Sequence, residues 1–113
     1  MAIDAVSLAA KALDGLYLRS AALAHNLANM SSPRFQSLEV NFEGALRKAA
    51  SQSPAAVDAL QFGFTASRLF GPGDEQREDL LLVDASINAM RFAALSDLIG
   101  RRLAIASAAA GAR

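Results

Sequence analysis

The sequence predicts an all-α chain. Two long helices, one N-terminal and one C-terminal, pair as an elongated coiled-coil-like hairpin around an irregular or partly disordered middle with room for a short strand. Three observations carry this. Of 113 residues, 53% are apolar yet only 6% are aromatic. The apolar share is therefore small side chains, with Ala about a quarter of the chain, well above average usage, and Leu next. That mix, poor in β-branched residues, favours helix over sheet. Both ends of the chain carry helical periodicity, and the middle does not. Length then shapes the fold. A helix of about 27 residues spans about 40 Å, whereas a compact globule of this size has a radius of gyration near 13 Å. Two such helices make a rod.

The N-terminal segment, residues 1–33, repeats in heptads from Ile3 to about Met30. Val6, Leu13, Ser20 and Leu27 form one series, and Ala9, Leu16, Leu23 and Met30 the other. Such spacing marks a helix that packs along a partner, and Ala9, Ala24 and Ala28 permit close approach. Gly15 works against the helix by about 1 kcal/mol relative to Ala. Pro33 disfavours the α conformation at Ser32, which ends the helix near Ser31-Ser32-Pro33.

Residues 34–73 form the variable middle arm. Gln36 to Phe42 alternates in the manner of a short strand, Glu43 to Ala50 suits a short helix, and Ala49 to Pro54 reads as a linker. Gln61 to Gly73 shows no period.

The third segment, residues 74–113, starts after the breaker Gly71-Pro72-Gly73. Asp74 is the expected N-cap, and Asp74, Glu75, Glu78 and Asp79 suit the positive end of the helix dipole. Two adjacent apolar stripes follow: Leu80, Val83, Ile87, Met90, Ala94, Leu98 and Ile105, and beside them Leu81, Ala85, Phe92, Leu95, Ile99 and Leu103. Together they exceed a coiled-coil seam, so this helix expects neighbours on more than one side.

Several function classes lack support. The eleven basic and eleven acidic residues balance, so no net field draws in nucleic acid or an anionic membrane. With no cysteine, disulfides, thiol nucleophiles and thiolate metal sites are excluded. His25 is the single histidine, and a metal site needs three or four ligands. Ser31-Ser32 has no base in its pattern, Gly71-Pro72-Gly73 lacks the Lys of a phosphate loop, and Arg101 and Arg102 suit a helix C-terminus. The expectation is a structural protein, not an enzyme, with no cofactor or metal. Met1 to Leu8 lacks the basic start of a secretory signal. The longest charge-free apolar run, Leu103 to Ala112, is about half a membrane span.

The segment Asn26-Leu27-Ala28-Asn29-Met30-Ser31-Ser32-Pro33-Arg34-Phe35 resembles the N-terminal signature of the bacterial flagellar basal-body rod protein family, Asn-Leu/Ile-Ala-Asn-x-x-Thr-Pro-Gly-Tyr. Asn26, Ala28, Asn29 and Pro33 match directly, Ser32 replaces the Thr and Phe35 the Tyr. Arg34 departs from the Gly, which predicts an altered turn, because Arg lacks easy access to positive φ. Leu38 to Leu46, with its Phe42 then Ala45-Leu46, and Asn88-Ala89-Met90-Arg91-Phe92-Ala93-Ala94-Leu95 resemble the proximal-rod branch of that family. Residues 51–73 do not share the resemblance.

The resemblance implies a motility protein: a structural subunit of the proximal rod, which transmits torque as part of the flagellar axis in the periplasm. It implies export through the flagellar type III gate without a cleavable signal peptide. The implied partners are other rod subunits, the membrane-ring/rod junction protein and the export gate, with self-association and no membrane span. The expected assembly residues are Leu13, Leu16, Leu23, Asn26, Leu27, Asn29, Pro33, Phe35 and Phe42, then Ile87, Asn88, Arg91, Phe92, Leu95 and Leu98. Asn26, Asn29 and Asn88 are expected to hydrogen-bond across helices and fix register. The residues alone also suit a helical adaptor or export chaperone that binds one partner helix and forms no filament.

Overall fold

The structure, a computed structural model, describes residues 4–111. Ile3, where the heptad pattern starts, and Ala112, where the apolar run ends, lie outside the described residues. The chain is mostly helical, with α1 (Ala5–Asn29), β1 (Leu38–Glu39), α2 (Glu43–Gln52), α3 (Pro54–Ala59), β2 (Thr65–Ala66) and α4 (Glu78–Gly111). It is elongated, 62 × 27 × 14 Å with a radius of gyration of 17.3 Å, against the roughly 13 Å of a compact chain of this length. Among the described residues no helix is long and apolar enough to cross a membrane.

Helix α1 starts where Asp4 caps it. The Asp4 carboxylate accepts from the Val6 amide at 3.1 Å and from the Ser7 hydroxyl at 3.1 Å. The helix ends where Pro33 predicts, through turns in which Ser32 N–H donates to Asn29 O and Phe35 N–H to Ser32 O. It then runs antiparallel to α4. Val6 and Ala9 lie beside Leu95 and Ile99 around one groove, and the Asn88 amide reaches the Leu16 carbonyl nearer the middle.

The middle sets α2, α3 and the short strand pair among irregular segments, and it holds the core. Val40, Phe42, Leu46, Ala49 and Val57 are buried with Leu16 and Ala22 of α1. Helix α1 is therefore a hub, with α4 on one side and β1, α2 and α3 on another. The stretch Ala49 to Pro54, which reads as a linker, is a helix junction. Ser53 accepts from the Ala56 amide at 3.0 Å, and Pro54 occupies the first turn of α3, where its missing N–H costs nothing. Of the alternation read over Gln36 to Phe42, only the last part holds as burial, with Val40 and Phe42 inward and Asn41 outward, while Ser37 on the other face is buried as well. The ladder itself is two residues long, Leu38 opposite Ala66 and Glu39 opposite Thr65, antiparallel.

Helix α4 begins at Glu78, not at Asp74. The Asp74 side chain accepts from the Gly71 amide at 2.7 Å and closes a tight turn instead. Gln76, buried, accepts from the Ser37 hydroxyl at 3.3 Å. That contact ties the segment to the chain beside β1 before the helix can start. Gly100 does not interrupt α4, so Arg101 and Arg102 are mid-helix and not terminal. Arg101 pairs with Asp97 one turn back at 2.8 Å.

A candidate assembly surface on the C-terminal helix

The two stripes of α4 meet different fates. Leu81 and Asn88 are buried, Ala85, Leu95 and Ile99 half-buried and Phe92 at the margin, and this side faces α1. The adjacent stripe faces away from the molecule: Leu80 is 51% exposed, Val83 52%, Ile87 42%, Met90 71%, Leu98 57% and Ile105 68%. Large aliphatic side chains left in water along one helix face form the kind of contiguous patch that marks a contact surface. From Gly100 to Gly111 every residue is exposed.

Beside this stripe lies a cleft of about 310 Å³, edged by Asp84, Ile87, Asn88 and Arg91 on α4 and by Ala22 and Leu23 on α1. Asn88 donates to the Leu16 carbonyl at 2.8 Å, while its buried side-chain oxygen has no protein partner among the described residues. That hydrogen bond ties α1 to α4 at one level of the helix pair. Nearer the start of α1, a second groove of about 230 Å³ runs between Ala5, Val6 and Ala9 and the row Leu95, Leu98 and Ile99. Small residues on α1 leave this space open.

The expected assembly residues separate into three groups. Leu16, Asn26, Phe42 and Asn88 are buried inside the subunit. Leu13, Leu23, Leu27, Phe35 and Leu95 are half-buried, and Asn29 is too. Ile87, Arg91, Leu98 and Pro33 are exposed, with Phe92 at 37%. Ile87 and Leu98 are therefore exposed members of the outer stripe that edge the clefts between α1 and α4. The three asparagines also differ. Asn88 bridges helices, as expected. Asn26 clamps β1, its amide donating to Leu38 O and its oxygen accepting from Leu38 N–H, both at 2.8 Å. Asn29 turns back to its own helix, donating to His25 O at 2.9 Å.

Sequence reasoning missed the latch that joins α1 to the middle. The Arg19 guanidinium donates to both Glu43 carboxylate oxygens, at 2.7 and 2.6 Å, and to Val40 O at 2.6 Å. It also lies 4.6 Å from the Phe42 ring centroid. The hydrogen bond from Arg19 holds the Glu43 carboxyl at about pKa 2, against the opposing pull of partial burial. No residue spacing announces this pairing, because its members are brought together by the fold. Gly15 carried a signal that was legible only as a defect. A Cβ there would come within 2.6 Å of Phe42 Cδ2, so the glycine lets the Phe42 ring lie on the α1 backbone.

His25 is exposed and stacks at a tilt on Phe35, ring centroids 5.3 Å apart. Asp79 pairs with Arg77, and Glu75 and Glu78 are exposed. Among the described residues no group of three His, Cys, Asp or Glu side chains is placed to hold a metal ion. The turn after α1 has a feature the sequence does not predict. Arg34 adopts φ +57°, in the left-handed region, and an added Cβ on the neighbouring Gly73 would touch the Arg34 backbone at 3.5 Å. No protein-family model matches the chain, and no curated protein matches it significantly.

Proposed function

We propose that the chain is a structural subunit of the bacterial flagellar basal-body rod, of the proximal-rod kind, which assembles through its terminal helices. The observation that carries this reading is the outer stripe of α4, an apolar face on a rod-shaped helix pair that no described residue covers. Two details of the signature segment support it. Asn26 does structural work as a buried clamp on β1. Arg34 holds the positive φ that the family's glycine would supply, so the turn keeps a glycine-type backbone without the glycine. In this reading the partners are neighbouring rod subunits, the membrane-ring/rod junction protein and the export gate, and the destination is the periplasmic rod.

The test is genetic and physical together. Deleting the gene in its source bacterium is expected to abolish swimming and leave basal bodies without a complete rod. The wild-type gene restores both, and Met90→Asp, which charges the most exposed member of the stripe, does not. Leu23 and Leu95 are poorer targets, since both are half-buried against the rest of the subunit and a charge there would loosen the fold itself. Unimpaired swimming in the deletion strain would overturn the reading. An adaptor or chaperone would instead give a deletion strain with intact rods and a purified protein captured one-to-one by a partner helix.

A further inference from the structure

The outer stripe of α4 is not featureless. Asp84 and Arg91 are exposed, lie seven residues apart on the edge of the stripe nearest α1, and neither enters an ion pair among the described residues. Between them sits Ile87, in the middle of the run from Leu80 to Ala94. At 1.5 Å rise per residue, Asp84 stands about 4.5 Å from the level of Ile87 on one side and Arg91 about 6 Å on the other. A two-fold axis through Ile87 that reverses the helix direction brings Asp84 of one chain opposite Arg91 of the other, twice. It leaves both pairs on the same edge of the interface. The same axis sets Ile87 on Ile87 and Leu80 against Ala94, a large side chain against a small one. An isologous interface requires this kind of self-complementarity. A parallel pairing in register would instead carry the two chains' Asp84 and Arg91 to opposite edges of the interface, where no reciprocal pair forms.

About the axis at Ile87 the two α4 helices overlap over residues 78–96. The large side chains within that reach, Leu80, Val83, Ile87 and Met90, are 51%, 52%, 42% and 71% exposed and together offer on the order of 400 Å², an area in the range of the largest apolar patch on a typical monomer. We infer that the free protein is an antiparallel homodimer in which two copies of α4 cover the Leu80-to-Ala94 part of each other's outer stripe about a dyad at Ile87, locked by reciprocal Asp84–Arg91 pairs. The inference does not rest on the rod reading. Where that reading holds as well, the dimer masks the surface that assembly uses, and it must open before a subunit is incorporated.

The test uses the full chain, which has no cysteine of its own. Sedimentation equilibrium is expected to give twice the chain mass at micromolar concentration. Met90→Asp should give the monomer mass with unchanged helix content. Asp84→Arg or Arg91→Asp alone sets like charges together at both symmetric contacts and should raise the dimer Kd about tenfold. The double reversal, Asp84→Arg with Arg91→Asp, should restore it. Mixing Leu80→Cys with Ala94→Cys protein and adding a short bis-maleimide should give the mixed cross-link in preference to either self cross-link. A monomer throughout the micromolar range overturns the proposal. So does a dimer that cross-links Leu80→Cys to itself, or one whose charge reversals fail to rescue each other. None of these outcomes bears on swimming, so the dimer and the rod reading can fail separately.

Discussion

Gly15→Ala separates two accounts of the same residue. Helix propensity alone favours the change, because Ala in a helix interior is more stable than Gly by about 1 kcal/mol. The packing opposes it. A Cβ at position 15 would lie 2.5 Å from Phe42 Cδ1 and 2.6 Å from Cδ2, where carbon atoms prefer about 3.5–4.0 Å. The ring cannot simply retreat. It is 4% exposed, stacks at 5.5 Å on Phe62, and lies under the Arg19 guanidinium that also holds Glu43 and Val40. Overpacking of a dense core costs about 1–3 kcal/mol, and an overlap of about 1 Å against a fixed ring belongs at the upper end. After the helix gain is subtracted, a net loss of about 2 kcal/mol remains, or roughly 10 °C in Tm for a chain of this size. Urea unfolding followed by far-ultraviolet circular dichroism measures it. Adding Phe42→Leu to the variant should recover part of the loss, although Phe42→Leu alone is destabilising. A Gly15→Ala protein as stable as the parent, or more stable, would refute the argument that Phe42 requires the glycine.

Three further expectations follow from the contacts around α1. Asn26→Ala leaves the Leu38 amide and carbonyl without their partners and should destabilise the chain by about 2–3 kcal/mol, with faster hydrogen exchange at the Leu38 amide. Arg34→Gly should stabilise it by about 1 kcal/mol, because the left-handed conformation strains an L-residue by about 1–2 kcal/mol and the looser unfolded chain returns part of that gain. Arg34→Ala, equally strained, should change little. For Glu43, the folded pKa lies below its ordinary value, so the stability it contributes is present above pH 4.5 and is lost as the pH falls towards 2. Since the side chain is half exposed, the contribution is about 1 kcal/mol after screening. Glu43→Gln should remove that part of the acid dependence and lower stability at neutral pH by the same amount.

The terminal helices were legible because their signals are local. Heptad spacing and Pro33 bound α1, and the paired stripes mark α4. The start of α4 was not legible in detail. Asp74 has N-cap chemistry, but its carboxylate is committed to Gly71, and Gln76 is held by Ser37 across the fold. The middle was under-read for a different reason. Small residues around Ala49 to Pro54 resemble a linker, although Ser53-Pro54 is also a cap followed by a first-turn proline. The core positions Val40 and Phe42 were visible as alternation, but their burial depends on Arg19 and Asn26 of α1, which occupy the backbone groups a third strand would otherwise pair with. For the candidate surface, both stripes of α4 could be named from spacing, and only the fold decides which one is free.

What decides it is size at the contact and not apolarity. The stripe that faces α1 carries Ala85 and Asn88 at its centre, and a short side chain at each point lets the α1 backbone come close enough for Asn88 to reach the Leu16 carbonyl. The outer stripe carries Ile87 and Met90 at the same level, side chains that would hold α1 away. Close approach therefore selects the less apolar face for the inside. The subunit is left with a row of large aliphatic side chains in water on α4, while its buried core lies around Phe42 on the other side of α1. A chain arranged this way can lose a partner from α4 without exposing its core. It can equally gain one there without rebuilding that core, since the contacts that hold α1 to the middle lie on the far side of the hub.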